Sequence, residues 1–429
     1  MLGACQLVGW ALRPLRLTQV IAEIVVGLAL GPSLLGALAP AAEEWLFPHA
    51  VAIGDQIGTH TSMVVINTLG QLGLAVYLFV MGVDVDVDIV SRNIKKASGL
   101  SIVSLVLPLV VGGTMGLLLL RDDRLFGATT TPVQAALFMG TAMATTAFPV
   151  LARILYDLGI NRMQTGVLAI TAASVNDVAA WCLLAVILAS TLHSPALVGV
   201  AVGGVALFTL IMIAVGRRLV RRIEGVWRAS GTWSRGLPLV FLLIFASAWT
   251  TDRIGIHPFF GAFVAGLIFP RGEFNAELKK GVEAFSVTLL PFFFVYSGLN
   301  TQLGLLAEPR SLLLGLSIIA VATISKAGGG ILGARLTGSS WPECLTLGIL
   351  MNTRGLVELI VIDVGLEKGL ISPTLFSALV LMTLVTTMSS TPLIHALDRA
   401  MRKAGSRSVA TQLWATEVAA TSAFPDELR

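Results

Sequence analysis

Between Met163 and Leu188 the chain runs for 26 residues with one charged side chain, Asp177. At about 1.5 Å per residue, a helix of that length crosses the ~30 Å hydrocarbon core of a bilayer. Backbone groups in that core find no water, so a chain built from such segments spans only as helices or as a closed barrel. The apolar runs lack the period-2 alternation of barrel strands, which leaves helices. Composition agrees: 55% of the 429 residues are hydrophobic, 13% are charged and the mean hydropathy is +0.86, whereas a soluble chain carries about 25% charged residues. The chain therefore reads as an all-α, polytopic membrane protein. A charge at the bilayer centre costs at least ~2.5–3.5 kcal/mol on insertion scales, so Asp177 reads as functional. The bland alternative is a protonated carboxyl that only bonds a neighbouring helix.

Thirteen apolar segments lie near 1–12, 17–36, 63–82, 98–120, 133–155, 163–190, 197–219, 235–250, 254–269, 282–300, 310–335, 341–366 and 371–398, the first too short to span fully. Lys and Arg in the short loops set the orientation. One side collects 21 basic residues, from Arg13 to Arg407, and the other collects 5: Arg121, Arg124, Arg253, Arg310 and Lys368. The expected N-terminus is outside and the C-terminus cytoplasmic, in an inner or plasma membrane. Residues 1–403 form the expected transmembrane domain and 404–429 a short cytoplasmic tail. No cleavable signal peptide is expected. Cys5, Cys182 and Cys344 show no metal or disulfide spacing. There is no phosphate loop, metal cluster or Ser/His/Asp set, so neither an enzyme, a bound cofactor nor a nucleic-acid partner is expected.

The chain repeats internally. Residues 74–84, ending Met-Gly82-Val-Asp84, resemble 290–300, ending Ser-Gly298-Leu-Asn300, and 154–160 resemble 360–366. Each copy holds five segments, at about 17–190 and 254–398, and the loop charges give the copies opposite orientations. Inverted repeats with a site near the midplane mark secondary transporters.

Polar residues inside the apolar segments are the candidates for that site. In Gly140-Thr-Ala-Met-Ala-Thr145-Thr146-Ala-Phe-Pro149, the proline and two β-branched threonines predict a broken helix, with a simple kink as the alternative. The counterpart is Met351-Asn352-Thr353-Arg354-Gly355, with Glu358 four residues past the arginine, where the two can pair if the helix is regular there. That pair either fastens helices or serves transport. Lys326 sits about fifteen residues into its apolar run, before three glycines that let another helix approach. It reads as neutral, paired with Asp177 or cycling between these states, with a bystander role as the alternative. Glu23 is expected near the inner surface, Asp84, Asp86 and Asp88 on a solvated lip, and His257 in packing.

In order, Thr-Ala-Phe-Pro-Val-Leu-Ala-Arg (146–153), Asn-Asp (176–177), Gly-Ala-Phe-Val-Ala-Gly-Leu-Ile-Phe-Pro (261–270), Pro-Phe-Phe-Phe-Val-Tyr-Ser-Gly-Leu-Asn-Thr (291–301) and Met-Asn-Thr-Arg-Gly-Leu-Val-Glu-Leu (351–359) resemble the monovalent cation:proton antiporter-2 family. The resemblance implies crossed broken helices in a core domain that moves against a dimerisation domain, and a homodimer in the lipid bilayer. It further implies that Asp177 binds a cation or a proton in competition, assisted by Asn176, Thr145 and Thr146, with Lys326 as the family's intramembrane lysine. Electrogenic sodium exchangers of this fold carry Asp where this chain has Asn176, which leans towards one cation per proton. The expected function is exchange of Na⁺ or K⁺ for H⁺, with no metal beyond the transported ion. An ion-coupled symporter of an organic solute on the same scaffold is the rival.

Overall fold

The computed structural model describes residues 1–12, 19–48, 50–53, 56–59, 61–84, 87–157, 160, 163–191, 195–230, 236–254, 257–270 and 273–403. Nearly all of these are helical. In chain order the helices are α1 (Leu2–Leu12), α2 (Gln19–Leu30), α3 (Leu35–Leu38), α4 (Pro40–Leu46), α5 (Thr61–Asp84), α6 (Val87–Leu119), α7 (Pro132–Ala144), α8 (Phe148–Asp157) and α9 (Gln164–Thr191). There follow α10 (Pro195–Ile211), α11 (Arg217–Ser230), α12 (Leu237–Arg253), α13 (Pro258–Leu267), α14 (Glu273–Leu299), α15 (Pro309–Leu336), α16 (Trp341–Met351), α17 (Leu356–Glu367) and α18 (Pro373–Lys403). One departure from the all-helical expectation is a hairpin in the loop between α4 and α5. There β1 (Ala50–Ile53) pairs antiparallel with β2 (Gln56–Thr59), Ala50 opposite Thr59. Short runs carrying valine, isoleucine and threonine, separated by Gly-Asp, favour a hairpin over a helix. The tail 404–429 lies outside the described residues.

Among the described residues, nine helices are long and apolar enough to cross a membrane. The sequence pattern suggested thirteen segments. The difference lies in short helices such as α1 with 11 residues, α7 with 13, α12 with 17 and α13 with 10. The expected segment at 133–155 is divided, because its backbone leaves the helix after Ala144.

The chain forms two compact units. The first comprises Met1–Val87 with Trp181–Leu305, the second Asp88–Ala180 with Leu306–Arg429. In the first unit the helices of the matched sequence segments pair reciprocally. α2 packs on α14 where Gly27 meets Gly298, and α5 packs on α13 where Gly82 meets Gly266. A Cβ on Gly27 would lie 2.8 Å from the Gly298 Cα, and one on Gly82 would lie 2.9 Å from the Gly266 Cα. Such backbone contact is how apolar helices associate where burial of apolar surface gives no advantage over lipid. Each pairing joins the first helix of one copy to the second helix of the other. Glu23 of α2 is 4% exposed rather than interfacial.

The second unit contains α6 to α8, α9 as far as Ala180, and α15 to α18. Its two divided helices begin alike. Gln134 accepts from the Thr131 amide at 2.8 Å while Thr131 accepts from the Gln134 amide, and Glu343 accepts from the Ser340 amide at 2.8 Å. These side chains satisfy amide donors that a helix start leaves unpaired, and Pro132 and Pro342 occupy first-turn positions that need no donor.

Candidate functional site

The site is built where the two divided helices of the second unit meet. α7 stops at Ala144, Thr145 is extended at φ −64°, ψ 146°, and α8 starts at Phe148. Pro149 is therefore in the first turn of a new helix, where its missing N–H costs nothing. α16 stops at Met351, and α17 restarts at Leu356. Backbone groups freed by one break are taken by the other. The Ala147 amide donates to the Thr353 carbonyl at 3.0 Å, and the Thr146 hydroxyl donates to the Met351 carbonyl at 3.2 Å. Thr145 bonds back to the Ala142 carbonyl. The expected breaks are both present, and they are joined.

The end of α7 exposes carbonyls with no helical partner, and two buried cations occupy them. Arg354 donates through Nη1 to Ala142 at 2.7 Å and through Nη2 to Met143 at 2.9 Å. Lys326 donates through Nζ to Ala144, and also to the Ser104 carbonyl of α6 at 3.0 Å. Positive groups at a helix C-terminus complement its dipole as well as its orphan acceptors. Arg354 also pairs with Glu358 Oε1 at 3.0 Å, the two side chains being 0% and 1% exposed. The pair forms across the break, with Glu358 in the first turn of α17 and the Thr383 hydroxyl of α18 beside it. Lys326 is in electrostatic range of Asp177, Arg354 and Glu358. Fully ionised, these four buried groups sum to zero charge. Among the described residues no salt bridge joins Lys326 to Asp177; the ammonium is seated on carbonyls instead.

Lys326 reaches α6 because Gly329, one turn on, lies against that helix. A Cβ on Gly329 would sit 3.0 Å from the Val103 carbonyl oxygen and 3.1 Å from the Ser104 Cα. Gly328, facing elsewhere, has nothing within 4 Å.

On α9, Asn176 and Asp177 point about 100° apart, as consecutive helical residues must. Asn176 is fully buried against α6, where its Oδ1 accepts from Ser101 at 2.9 Å and its Nδ2 donates to Ser104 at 3.1 Å. Asp177, 6% exposed, has the Phe148 N–H at the start of α8 beside it, while its Oδ1 has no hydrogen-bond partner. An unsatisfied buried carboxylate oxygen carries a large desolvation cost unless something binds it.

The structure thus brings Thr146, Lys326, Arg354 and Glu358 together around the two breaks, with Thr145 in the first break and Asp177 at the start of α8. It turns Asn176 towards α6. Ser101, Ser104, Thr383 and the α7 carbonyls were not singled out by sequence; the Ser-x-x-Ser spacing in an apolar helix is the one signal that could have marked the serines. Of the weaker candidates, Asp84 pairs with Lys279, His257 accepts from the Phe259 amide at the start of α13, and the Asp86 and Asp88 side chains lie outside the described residues. Cys5, Cys182 and Cys344 are free thiols.

Divided helices that exchange backbone bonds around a buried, balanced charge cluster define an ion-coupled membrane transporter. The sequence comparisons name the family: residues 3–397 match the transmembrane sodium/hydrogen exchanger family, and the chain belongs to it. It is 37% identical over 402 residues to the Na⁺/H⁺ antiporter NhaS4 of Synechocystis, covering 92% of this chain and 94% of that protein. It is 32% identical to the K⁺/H⁺ antiporter 1 of Saccharomyces cerevisiae, of which the match spans 44%. The fold is similar to that of the sodium proton antiporter MjNhaP1 from Methanocaldococcus jannaschii, with TM-score 0.61, 18% identity and coverage of 91% and 92% of the two chains.

Proposed function

We propose that this multi-pass membrane protein exchanges Na⁺ or K⁺ for H⁺ by competition at Asp177. The observation that carries the reading is the buried, unpartnered Oδ1 of Asp177 at the start of α8. A deprotonated carboxylate there takes a monovalent cation, with the Thr145–Thr146 break supplying further oxygens, and protonation on the other face of the membrane expels it. Hard cations favour oxygen donors, and no His or Cys belongs to the site. Asn176 contributes by holding α9 in register on α6. Lys326, Arg354 and Glu358 keep the crossing assembled by neutralising the end of α7. With one carboxylate beside a neutral amide, the site favours one cation per proton.

The loop charges support an outside N-terminus and a cytoplasmic C-terminus in an inner or plasma membrane. Names borne by relatives, a Na⁺/H⁺ antiporter and a K⁺/H⁺ antiporter, support cation:proton exchange without choosing the cation. Assembly as a homodimer completes the reading. The test is dissipation of an imposed pH gradient by purified protein in liposomes, with Na⁺, K⁺ and Li⁺ and with the membrane potential clamped or free. Cation-dependent dissipation that ignores the potential is expected. A pH gradient indifferent to all three cations contradicts exchange.

A further inference from the structure

Two features of the site are unexplained by exchange alone. Lys326, the cation in range of Asp177, does not close onto it, and one of the two carbonyls that hold Lys326 belongs to a residue in the middle of α6. A mid-helix carbonyl is normally committed to the amide four residues on. For Ser104 that residue is Pro108, inside α6, which has no N–H to give. The proline leaves the Ser104 oxygen open, and the Lys326 ammonium takes it at 3.0 Å.

The same turn of α6 controls Asn176. Ser101 donates to Asn176 Oδ1, Asn176 Nδ2 donates to Ser104 Oγ, and the Ser104 hydroxyl proton goes to the Ser101 carbonyl at 3.2 Å. Donors and acceptors close into a ring, so each hydroxyl has one direction. In this arrangement the residue at 176 accepts from one serine and donates to the other, as a neutral amide does. Ser101, Ser104 and Asn176 are 2%, 0% and 0% exposed, so no bulk water competes for these bonds.

We propose that Ser101, Ser104 and Pro108 make this turn of α6 a positioning element for cation binding: Pro108 frees the Ser104 carbonyl to hold the Lys326 ammonium off the Asp177 carboxylate, while the two hydroxyls hold Asn176. The inference rests on the reading of Asp177 as the cation site. It explains why Oδ1 of Asp177 has no partner although a buried lysine is in range. With the Ser104 carbonyl returned to the helix, the ammonium keeps the Ala144 carbonyl and turns its freed donor to the Asp177 carboxylate, from which a cation must then displace it.

The variant Pro108→Ala supplies the missing amide and removes a helix-interior proline, a change that by itself favours the helix. In liposomes it is expected to fold with a thermal midpoint at or above wild type, yet to need about tenfold more Na⁺ or K⁺ for half-maximal dissipation of the pH gradient. Pro392→Ala in α18, the same substitution away from the site, leaves that concentration unchanged. Ser101→Ala/Ser104→Ala raises it, and adds nothing in an Asn176→Ala background. A folded Pro108→Ala protein with half-saturation within twofold of wild type overturns the proposal, as does a Pro108→Ala protein that does not fold, or serine and asparagine effects that simply add. Asp177→Asn runs alongside. Exchange persisting in that variant defeats the cation-site reading itself, whereas a silent Asp177→Asn with an unaltered Pro108→Ala defeats only the α6 proposal.

Discussion

Lys326 and Arg354 divide the last three carbonyls of α7 between them. Arg354 takes Ala142 and Met143, and Lys326 takes Ala144. They arrive from α15 and from the break before α17, so the end of one divided helix is closed by groups from two other elements. A helix that stops inside the membrane needs such closure, because each unsatisfied backbone group there costs several kcal/mol. The arrangement makes the crossing a single electrostatic unit, and removing one member should be felt by all.

Arg354→Ala removes the ion-pair partner of buried Glu358, opens the Met143 carbonyl and leaves the Ala142 carbonyl only its bond from Thr145. A loss of about 3–5 kcal/mol is expected for breaking a buried pair by removing one partner. Thermal unfolding of the purified protein in detergent should show a large fall in midpoint. The double variant Arg354→Met/Glu358→Leu recovers part of that fall, since no broken ion pair remains, though the Met143 carbonyl stays open. An unchanged midpoint for Arg354→Ala contradicts the closure described above.

Neighbouring glycines of α15 should respond oppositely to the same substitution. Gly329→Ala forces its methyl to 3.0 Å from the Val103 carbonyl oxygen, whereas Gly328→Ala enters open space. The first should destabilise by about 1–3 kcal/mol, the usual cost of overpacking. The second should be neutral or stabilising by up to about 1 kcal/mol, the helix preference of alanine over glycine. Unfolding midpoints of the two variants, measured side by side, decide it.

Competition at one carboxyl fixes the sign of the pH response. Lowering the pH fills the site with protons, so more cation is needed to occupy it. On the acidic side the half-saturating Na⁺ or K⁺ concentration should rise by up to about tenfold per pH unit, as one-for-one linkage requires. At high pH it should level off. Initial rates of exchange at several fixed pH values measure this, and a half-saturation independent of pH is incompatible with a shared site.

Much of this architecture can be read from the chain. Apolar runs demand helices, Thr145-Thr146-Ala-Phe-Pro149 and Asn352-Thr353-Arg354-Gly355 mark two breaks, and Asp177 stands out because a charge in an apolar run is costly. The partners of Lys326 could not be read in the same way. They are backbone oxygens, which every residue carries, and only the fold selects Ser104 and Ala144. The α6 serines gave only their Ser-x-x-Ser spacing, a weak signal because a serine or threonine in an apolar helix most often bonds its own backbone. Thr171 and Ser174 do so, with the carbonyls of Val167 and Ile170. Glu23 misled through its position near a segment end, where exposure is the usual outcome; close packing of α2 on α14 accompanies its burial instead.

Competition of cation and proton at Asp177, as proposed, is tested most directly by one comparison. Wild type and Asp177→Asn are reconstituted at equal density into liposomes, and dissipation of a pH gradient is followed on adding Na⁺ or K⁺. The amide keeps the shape of the side chain and removes its titration. Loss of all cation-dependent dissipation, with the variant still folded, is the result the account predicts. Exchange that persists in Asp177→Asn contradicts it.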